Sequence, residues 1–459
     1  MSHRSPSGLI LPPMGRRMFL RGGVALSAAA ALAACGTANS RDSDNEDTAL
    51  DGDFDADIDW QQFAGTEIQF SAMSHPWVDA ITPHLAEFTE LTGITVTPQI
   101  LGEDQYVSKI AVTLAGGATT PDVYLVYQLG QAVSSGWLEP LDTFLDDPSL
   151  TDPNWYDWDG DVFGGARSFA STDGVPYVAP ITTEVQVVYT NTDLVPNGPT
   201  TFDELVAAAA AANSADVAGI GMRAVANPSE APWPYAGFAF THGGYLIDPD
   251  GNPALDSQAN IQALTLYSDL LKEYGPRGVT SWGWLENNES MAQGRQAMWT
   301  DTSTFLGGLR DPDSSVISDT VAAYPFVSHE GSSVPNFWFW TAGINSKSEN
   351  KGAAWLFLQW ATSKPIAAVA GEAGTSPARA SAWEGDVITQ TLGSENVDRV
   401  LSSLVEADAT PMALAWKHEA WPEISDSLAR AVNATVAGSA SPADALATSQ
   451  QDALDAIGS

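Results

Sequence analysis

One cysteine, Cys35, stands among 459 residues, so an internal disulfide is excluded and the position of that thiol calls for its own explanation. The six histidines never fall four residues apart, which leaves no zinc-binding spacing, and no metal or cofactor is expected. Positive charge is scarce: 19 lysines and arginines face 57 acids, for a net charge of −38. Such a surface repels phosphate backbones and anionic headgroups, which excludes nucleic acid as a partner; adaptation of the surface to salt explains the acidity better than a cationic substrate does. Beyond the first 35 residues no apolar run approaches the roughly 20 residues of a membrane helix. Catalytic constellations are missing too. Ser348 and Lys351 form an SxxK string without the motifs that would complete it. Gly219, Gly221 and Ala224 fit a loose GxGxxA, but Glu230 lies only six residues beyond, where about 20 are needed. Asp248, Asp250 and Asn252 begin like a calcium loop, yet Pro253 and Ala259 occupy its sixth and twelfth positions, so a turn is expected. There is no internal repeat.

What is present begins with an address. Arg16 and Arg17 precede an apolar run, Val24 to Ala34, too short to span a bilayer, and Leu32, Ala33 and Ala34 lead into Cys35. This resembles a bacterial lipoprotein signal, which implies a twin-arginine signal peptide over residues 1–34 and lipidation of Cys35; a free thiol in an uncleaved tail is the alternative. Nine acids between Asp42 and Asp59, interspersed with small polar residues, suggest that residues 35–64 are an extended acidic linker. Removing the four arginines of residues 1–34 from −38 leaves −42 on the mature chain.

The body, long enough for two to three compact units, alternates strand and helix signals. Ile68 and Phe70 alternate as in a strand; Val78, Ile81, Leu85 and Phe88 recur at helical spacing until Gly93; Val123 to Val126 read as a buried strand. A second unit is expected from about Tyr189, with a capping box at Thr201 and Glu204. The stretch Ser281 to Ser303 organises the rest. It opens on Trp282 and Trp284, runs through a short helix that should stop at Gly294, and enters a strand whose carboxyl end carries Thr300, Asp301, Thr302 and Ser303, where crevices in α/β sheets open. Flat indoles cover C–H faces and short oxygen-bearing side chains take hydroxyls, so the pattern describes a sugar-like ligand; burial in a core is the competing account of both tryptophans.

In order, the strings TGITV, GGATTPDVYLVYQ, GVPYVAPITTEVQVVYTNTDLVPNGPTTFDEL, WPYAGFAFTHGGY, MAQGRQAMW and INSKSENKGAAWLFLQW resemble the extracytoplasmic solute-binding proteins of carbohydrate ABC transporters, the maltose-binding-like family. The resemblance implies a two-lobed α/β fold of type II, each lobe a mainly parallel sheet flanked by helices, joined by a hinge. Mapped onto this chain, lobe one is expected at 65–188 and 298–342 and lobe two at 189–297 and 343–459, with crossings near Val188–Asn191, Met298–Asp301 and Thr341–Ile344. It also implies ligand contacts at His75, Trp77, Tyr127, Gln128, Thr183, Glu184, Trp233, Asp301, Thr302, Trp338, Trp340 and Arg379, to which the organising stretch adds Trp282 and Trp284. His75 also fits a solvated loop histidine, Trp338 and Trp340 fit burial on one face of a strand, and Arg379 fits a surface ion pair. Trp282 and Trp284, and the absence of a tryptophan directly after Asp301, look closer to branches that take monosaccharides, polyols or small oligosaccharides.

The expected function is therefore a lipid-anchored, monomeric receptor that delivers a neutral carbohydrate or polyol to a membrane permease without altering it. A secreted glycoside hydrolase with two carboxylates is the main rival, distinguished by turnover. A lipoprotein adhesin or scaffold, which would not compact around a ligand, is the third.

Overall fold

The computed structural model describes residues 54–406 and 408–458. The segment expected as a signal peptide, Cys35 and most of the acidic segment lie outside the described residues. Seven strands form the main sheet: β1 (Glu67–Met73), β2 (Thr95–Leu101), β3 (Val123–Val126), β4 (Ala179–Asn191), β5 (Met298–Thr302), β6 (Val321–Pro325) and β7 (Phe337–Ile344). Their order is β2-β1-β3-β7-β4-β5, with β6 also on β4. Only β2, β1 and β3 run parallel; β7 pairs antiparallel with β3 and β4, as do β5 and β6 with β4. The expectation of mainly parallel sheets therefore holds for the first three strands alone.

The 13 residues of β4 are all buried. Its first half, Ala179–Val185, pairs with β7; its second half pairs with β5 along one edge and β6 along the other. One strand thus belongs to two sheets, and two lobes form around its ends. Their division differs from the one expected. β5 pairs only with the far half of β4 and bridges Gly221 through Trp299, so it stays inside the second lobe and does not cross. Conversely, the helices Lys351–Ala361 and Lys364–Glu372 return to the first lobe, where Phe357 packs 5.3 Å from Phe70 and Trp360 5.1 Å from Phe88. The crossings are the middle of β4, β7, and the segment Ser376–Arg379, whose Ser376 carbonyl accepts from the Thr183 N–H at 2.8 Å.

The expected extended linker over residues 35–64 does not hold at its C-terminal end. Trp60 is buried, donates its indole N–H to the Phe54 carbonyl and stands edge-on to Trp155 at 5.4 Å, so residues from Phe54 onward belong to the packed body. An indole with so much apolar surface outweighs the solvation of its acidic neighbours.

The second lobe centres on helix α1 (Pro232–Thr241), buried at every position, with Pro232 at its first turn. It lies so close to β4 that a Cβ on Gly237 would collide with Gln186 Oε1, which cannot retreat because Gln186 donates to the Pro234 carbonyl at 3.0 Å and to Thr300 Oγ1 at 3.2 Å. Gly237→Ala would gain roughly 1 kcal/mol of helix propensity, but overpacking at such a site costs about 1–3 kcal/mol and breaks a satisfied network. Urea denaturation should show a net loss of stability in the Gly237→Ala variant.

Candidate functional site

A cleft of about 510 Å³ opens above the middle of β4, with both lobes contributing to its wall. From the first lobe come the loop after β1 and the loop after β3. His75 caps the helix Pro76–Ile81, its Nδ1 accepting from the Trp77 N–H at 3.1 Å. Burial drives the imidazole pKa down to about 3. The ring is neutral, and because Nδ1 accepts, the proton sits on Nε2. Tyr127 follows β3, and burial pushes its phenol well above its ordinary range. His75 and Tyr127 both lie against Trp340, at 5.3 Å and 6.4 Å between ring centroids.

The floor is made by the crossing strands. Directly opposed residues of an antiparallel pair share a face, which puts Glu184 beside Trp338, and Trp340 two residues on lies on the same side. Thr302, at the end of β5, and Trp340 face the Glu184 carboxyl. Burial raises that carboxyl to about 7.

The second lobe supplies Arg223, Ser229, Trp233, Trp284 and Asn288. Arg223 forks onto Asp301, Nε to Oδ2 at 2.8 Å and Nη2 to Oδ1 at 2.5 Å, the bidentate geometry that a planar guanidinium favours. Its Nη1 reaches the Ser229 carbonyl at 3.3 Å and Glu230 Oε2 at 3.4 Å, and its guanidinium lies over the Trp233 ring at 5.4 Å. Glu230 also accepts from the Trp284 N–H at 2.9 Å. Trp284 stacks on Phe305 at 5.3 Å and Phe305 on Trp299 at 5.0 Å, a column of three rings running from the cleft into the core.

Of the residues expected at the site, the structure brings His75, Tyr127, Glu184, Trp233, Trp284, Thr302, Trp338 and Trp340 together around this cleft. The others lie elsewhere. Trp77 is a core residue, edge-on to Phe70. Gln128 precedes the helix Leu129–Ser134, off the cleft wall. Thr183 points across the hinge to Ser376 and the Pro377 carbonyl. Trp282 packs on the second lobe's core, its carbonyl accepting from the N–H groups of Ala224 and Val225. Asp301 is completely buried beneath Arg223 and accepts also from Trp299 Nε1 at 3.1 Å, so it orients the guanidinium and does not reach a ligand. Arg379 does not reach into the cleft: it pairs with buried Asp161 at 3.1 Å and lies over the Tyr156 ring at 4.7 Å, because a guanidinium this deep requires a carboxylate partner.

Arg223, Glu230, Ser229, Asn288 and Phe305 were not expected here. Arg223 could have been suspected, since an arginine flanked by Met222 and Ala224 is conspicuous in a chain with 19 basic residues. The discounted motifs have structural explanations. Ser348 donates to Asp122 at 2.6 Å and Lys351 pairs with Glu139 at 2.7 Å. Asp248 closes a turn by accepting from the N–H groups of Asp250 and Asn252. Gly221 leaves room for Gln296 and Asn287.

A mixed-sheet body of two lobes sharing a long strand, with an aromatic and polar cleft at the crossing, defines a binding protein of the two-lobed type. The chain belongs to the bacterial extracellular solute-binding protein family, whose model matches residues 74–368, and is accordingly extracytoplasmic. It is 27% identical over 419 residues to the erythritol/L-threitol-binding protein of Mycolicibacterium smegmatis, spanning 84% of this chain and 85% of that one. It is 28% identical over 250 residues to the mannitol-binding protein of Pseudomonas aeruginosa, spanning 52% of this chain and 55% of that one. In fold it resembles an ABC transporter solute-binding protein from Agrobacterium radiobacter K84 solved with ribitol, with a TM-score of 0.77, 24% identity, and coverage of 85% of this chain and 98% of that one. Among the described residues no helix is long and apolar enough to cross a membrane.

Burial also raises Glu230 to about 7, against an ordinary 4.5, despite the nearby Arg223. The folded chain then binds a proton that the unfolded chain has released, so this group's contribution to stability declines as pH rises from about 4.5 to about 7. Such a displacement corresponds to roughly 3 kcal/mol. Glu230→Gln removes the titration, and its stability relative to the parent, measured by chemical denaturation, should therefore rise between pH 5 and pH 8 by up to about 3 kcal/mol.

Proposed function

We propose that this protein is the substrate-binding component of an ABC importer, that it captures a small neutral polyol or sugar in the interlobe cleft, and that it delivers the ligand unaltered to a membrane permease. The observation that carries this reading is the cleft itself. Its indole and phenol walls suit the C–H faces of a hydroxyl-rich molecule, and its guanidinium, carboxyl, hydroxyl and imidazole groups suit the oxygens. The names of the two curated relatives, which bind a four-carbon and a six-carbon polyol, agree with that chemistry. Closure of the lobes about β4 and β7 would bring both walls onto one ligand.

A thermal-shift screen of tetritols, pentitols, hexitols and small sugars tests the reading, since a ligand at 100 times its Kd adds about 2.7 kcal/mol to the stability of the folded state. Failure of every polyol and sugar to shift the melting temperature, or appearance of product from glycosides, would overturn it. The aromatic contribution is separable. Trp284→Ala should weaken binding in calorimetry by about 2 kcal/mol, as aromatic anchors do, whereas Trp282→Ala, off the cleft wall, should leave affinity nearly unchanged.

We further propose that the mature chain, which we take to act as a monomer, is anchored by lipid at Cys35; the anchor follows from the signal pattern around that residue. Cys35→Ala expressed in cells should shift the protein from the membrane fraction to the soluble fraction; unchanged partition would refute the anchor.

A further inference from the structure

We propose that Glu184 meets the ligand as an uncharged carboxylic acid and donates its O–H to a ligand oxygen, which makes it a specificity-determining hydrogen-bond donor of this site. The inference rests on the binding role proposed above and starts from a count of charges. Three carboxyls, Glu184, Glu230 and Asp301, are gathered around a single guanidinium, that of Arg223. Asp301 takes both prongs of the Arg223 fork and Glu230 takes the remaining reach of Nη1. Glu184, 6% exposed at the centre of β4, forms no ion pair among the described residues.

The other elements facing it supply no second cation. From β5 comes Thr302 and from β7 Trp340, neutral donors whose hydrogen bonds favour the carboxylate but are outweighed by its burial; from the first lobe come a neutral His75 and a protonated Tyr127; and the further charged groups on the cleft wall, Asp79 and Glu103, are acids. The charge of Arg223 favours the Glu184 carboxylate, but that cation is already engaged by Asp301 and Glu230 and is opposed by the Asp301 charge, so a buried carboxylate here is disfavoured, and a neutral ligand filling the cleft would exclude water from it. Burial has already raised Glu184 to about 7 without a ligand. The bound state therefore holds the proton more firmly than the free state, and a proton is taken up on binding when the pH is near or above that value.

Calorimetry with erythritol and with mannitol, at pH 6, 7 and 8.5 and in two buffers of different ionisation enthalpy, tests this. Net proton uptake at pH 7 and above is expected, with affinity about tenfold weaker at pH 8.5 than at pH 6. Glu184→Gln is neutral and keeps an N–H donor, so it should bind at every pH with nearly the parent's affinity at pH 6 and take up no proton. Glu184→Ala should bind weakly and without pH dependence. Binding by the parent that is flat with pH, or that releases a proton because ligand hydroxyls donate to a carboxylate, overturns the inference while leaving the receptor role intact. Absence of binding by both polyols and all sugars at every pH removes the receptor role and this inference together.

Discussion

One strand serves two sheets, and that constraint shapes the rest of the molecule. Because β4 is hydrogen-bonded to β7 along its first half and to β5 and β6 along its second, its backbone cannot leave either lobe. The lobes can move only by bending where the partners change, between Val185 and Val187. Glu184 sits at that change of partners, opposite Trp338 on β7, with Trp340 two residues along on the same face. The cleft is thus placed where the sheet is least able to cover itself. Hinge and site coincide because both follow from the same break in pairing.

The Arg223–Asp301 pair matters for a related reason. A guanidinium this buried would be costly alone, and Asp301, with no exposure, would be more so; each makes the other tolerable through two parallel hydrogen bonds. Trp299 and the Thr302 backbone complete the carboxylate's partners, which ties the floor of the cleft to β5. The aromatic column Trp284–Phe305–Trp299 descends beside it into the same strand. Rigid packing below and a polar surface above are what a site needs to hold a small flexible ligand in one pose.

Much of this was legible in the chain, and the parts that were not have physical causes. Gly294 stands in the left-handed region at φ 66°, just after the helix Trp284–Ala292, as a helix stop should. The aromatics and hydroxyls of the site could be read because their side-chain types match the ligand chemistry wherever they fall. The lobe boundaries could not, since a strand that ends in a lobe and a strand that crosses a hinge have the same composition. Length was the usable signal: at 13 buried residues, β4 is about twice an ordinary strand. Partnerships were also hidden. Arg379 reads as a ligand-facing cation because its carboxylate, Asp161, lies 218 residues earlier, and Arg223 carries no local sign of its role because Asp301 lies 78 residues later.

A neutral ligand explains why the site must settle its own charges. A charged solute would bring a counter-charge into the cleft, whereas a polyol brings only dipoles, so each of the three largely buried carboxyls must be matched by Arg223, by hydrogen bonds or by a proton. Arg223 is shared between Asp301 and Glu230, leaving Glu184 the carboxyl of the three without an ion pair among the described residues, although burial raises both glutamates. The strongly acidic exterior has no bearing on this balance, because surface charges beyond a Debye length are screened while buried ones are not, and a neutral solute is not steered by them. The same composition that looks uniform in a net charge therefore divides into two populations with opposite demands. Exposed carboxylates keep the surface solvated, and the three largely buried ones above β4 are gathered around one guanidinium, so that a proton on Glu184 lessens the negative charge left in the cleft when it fills.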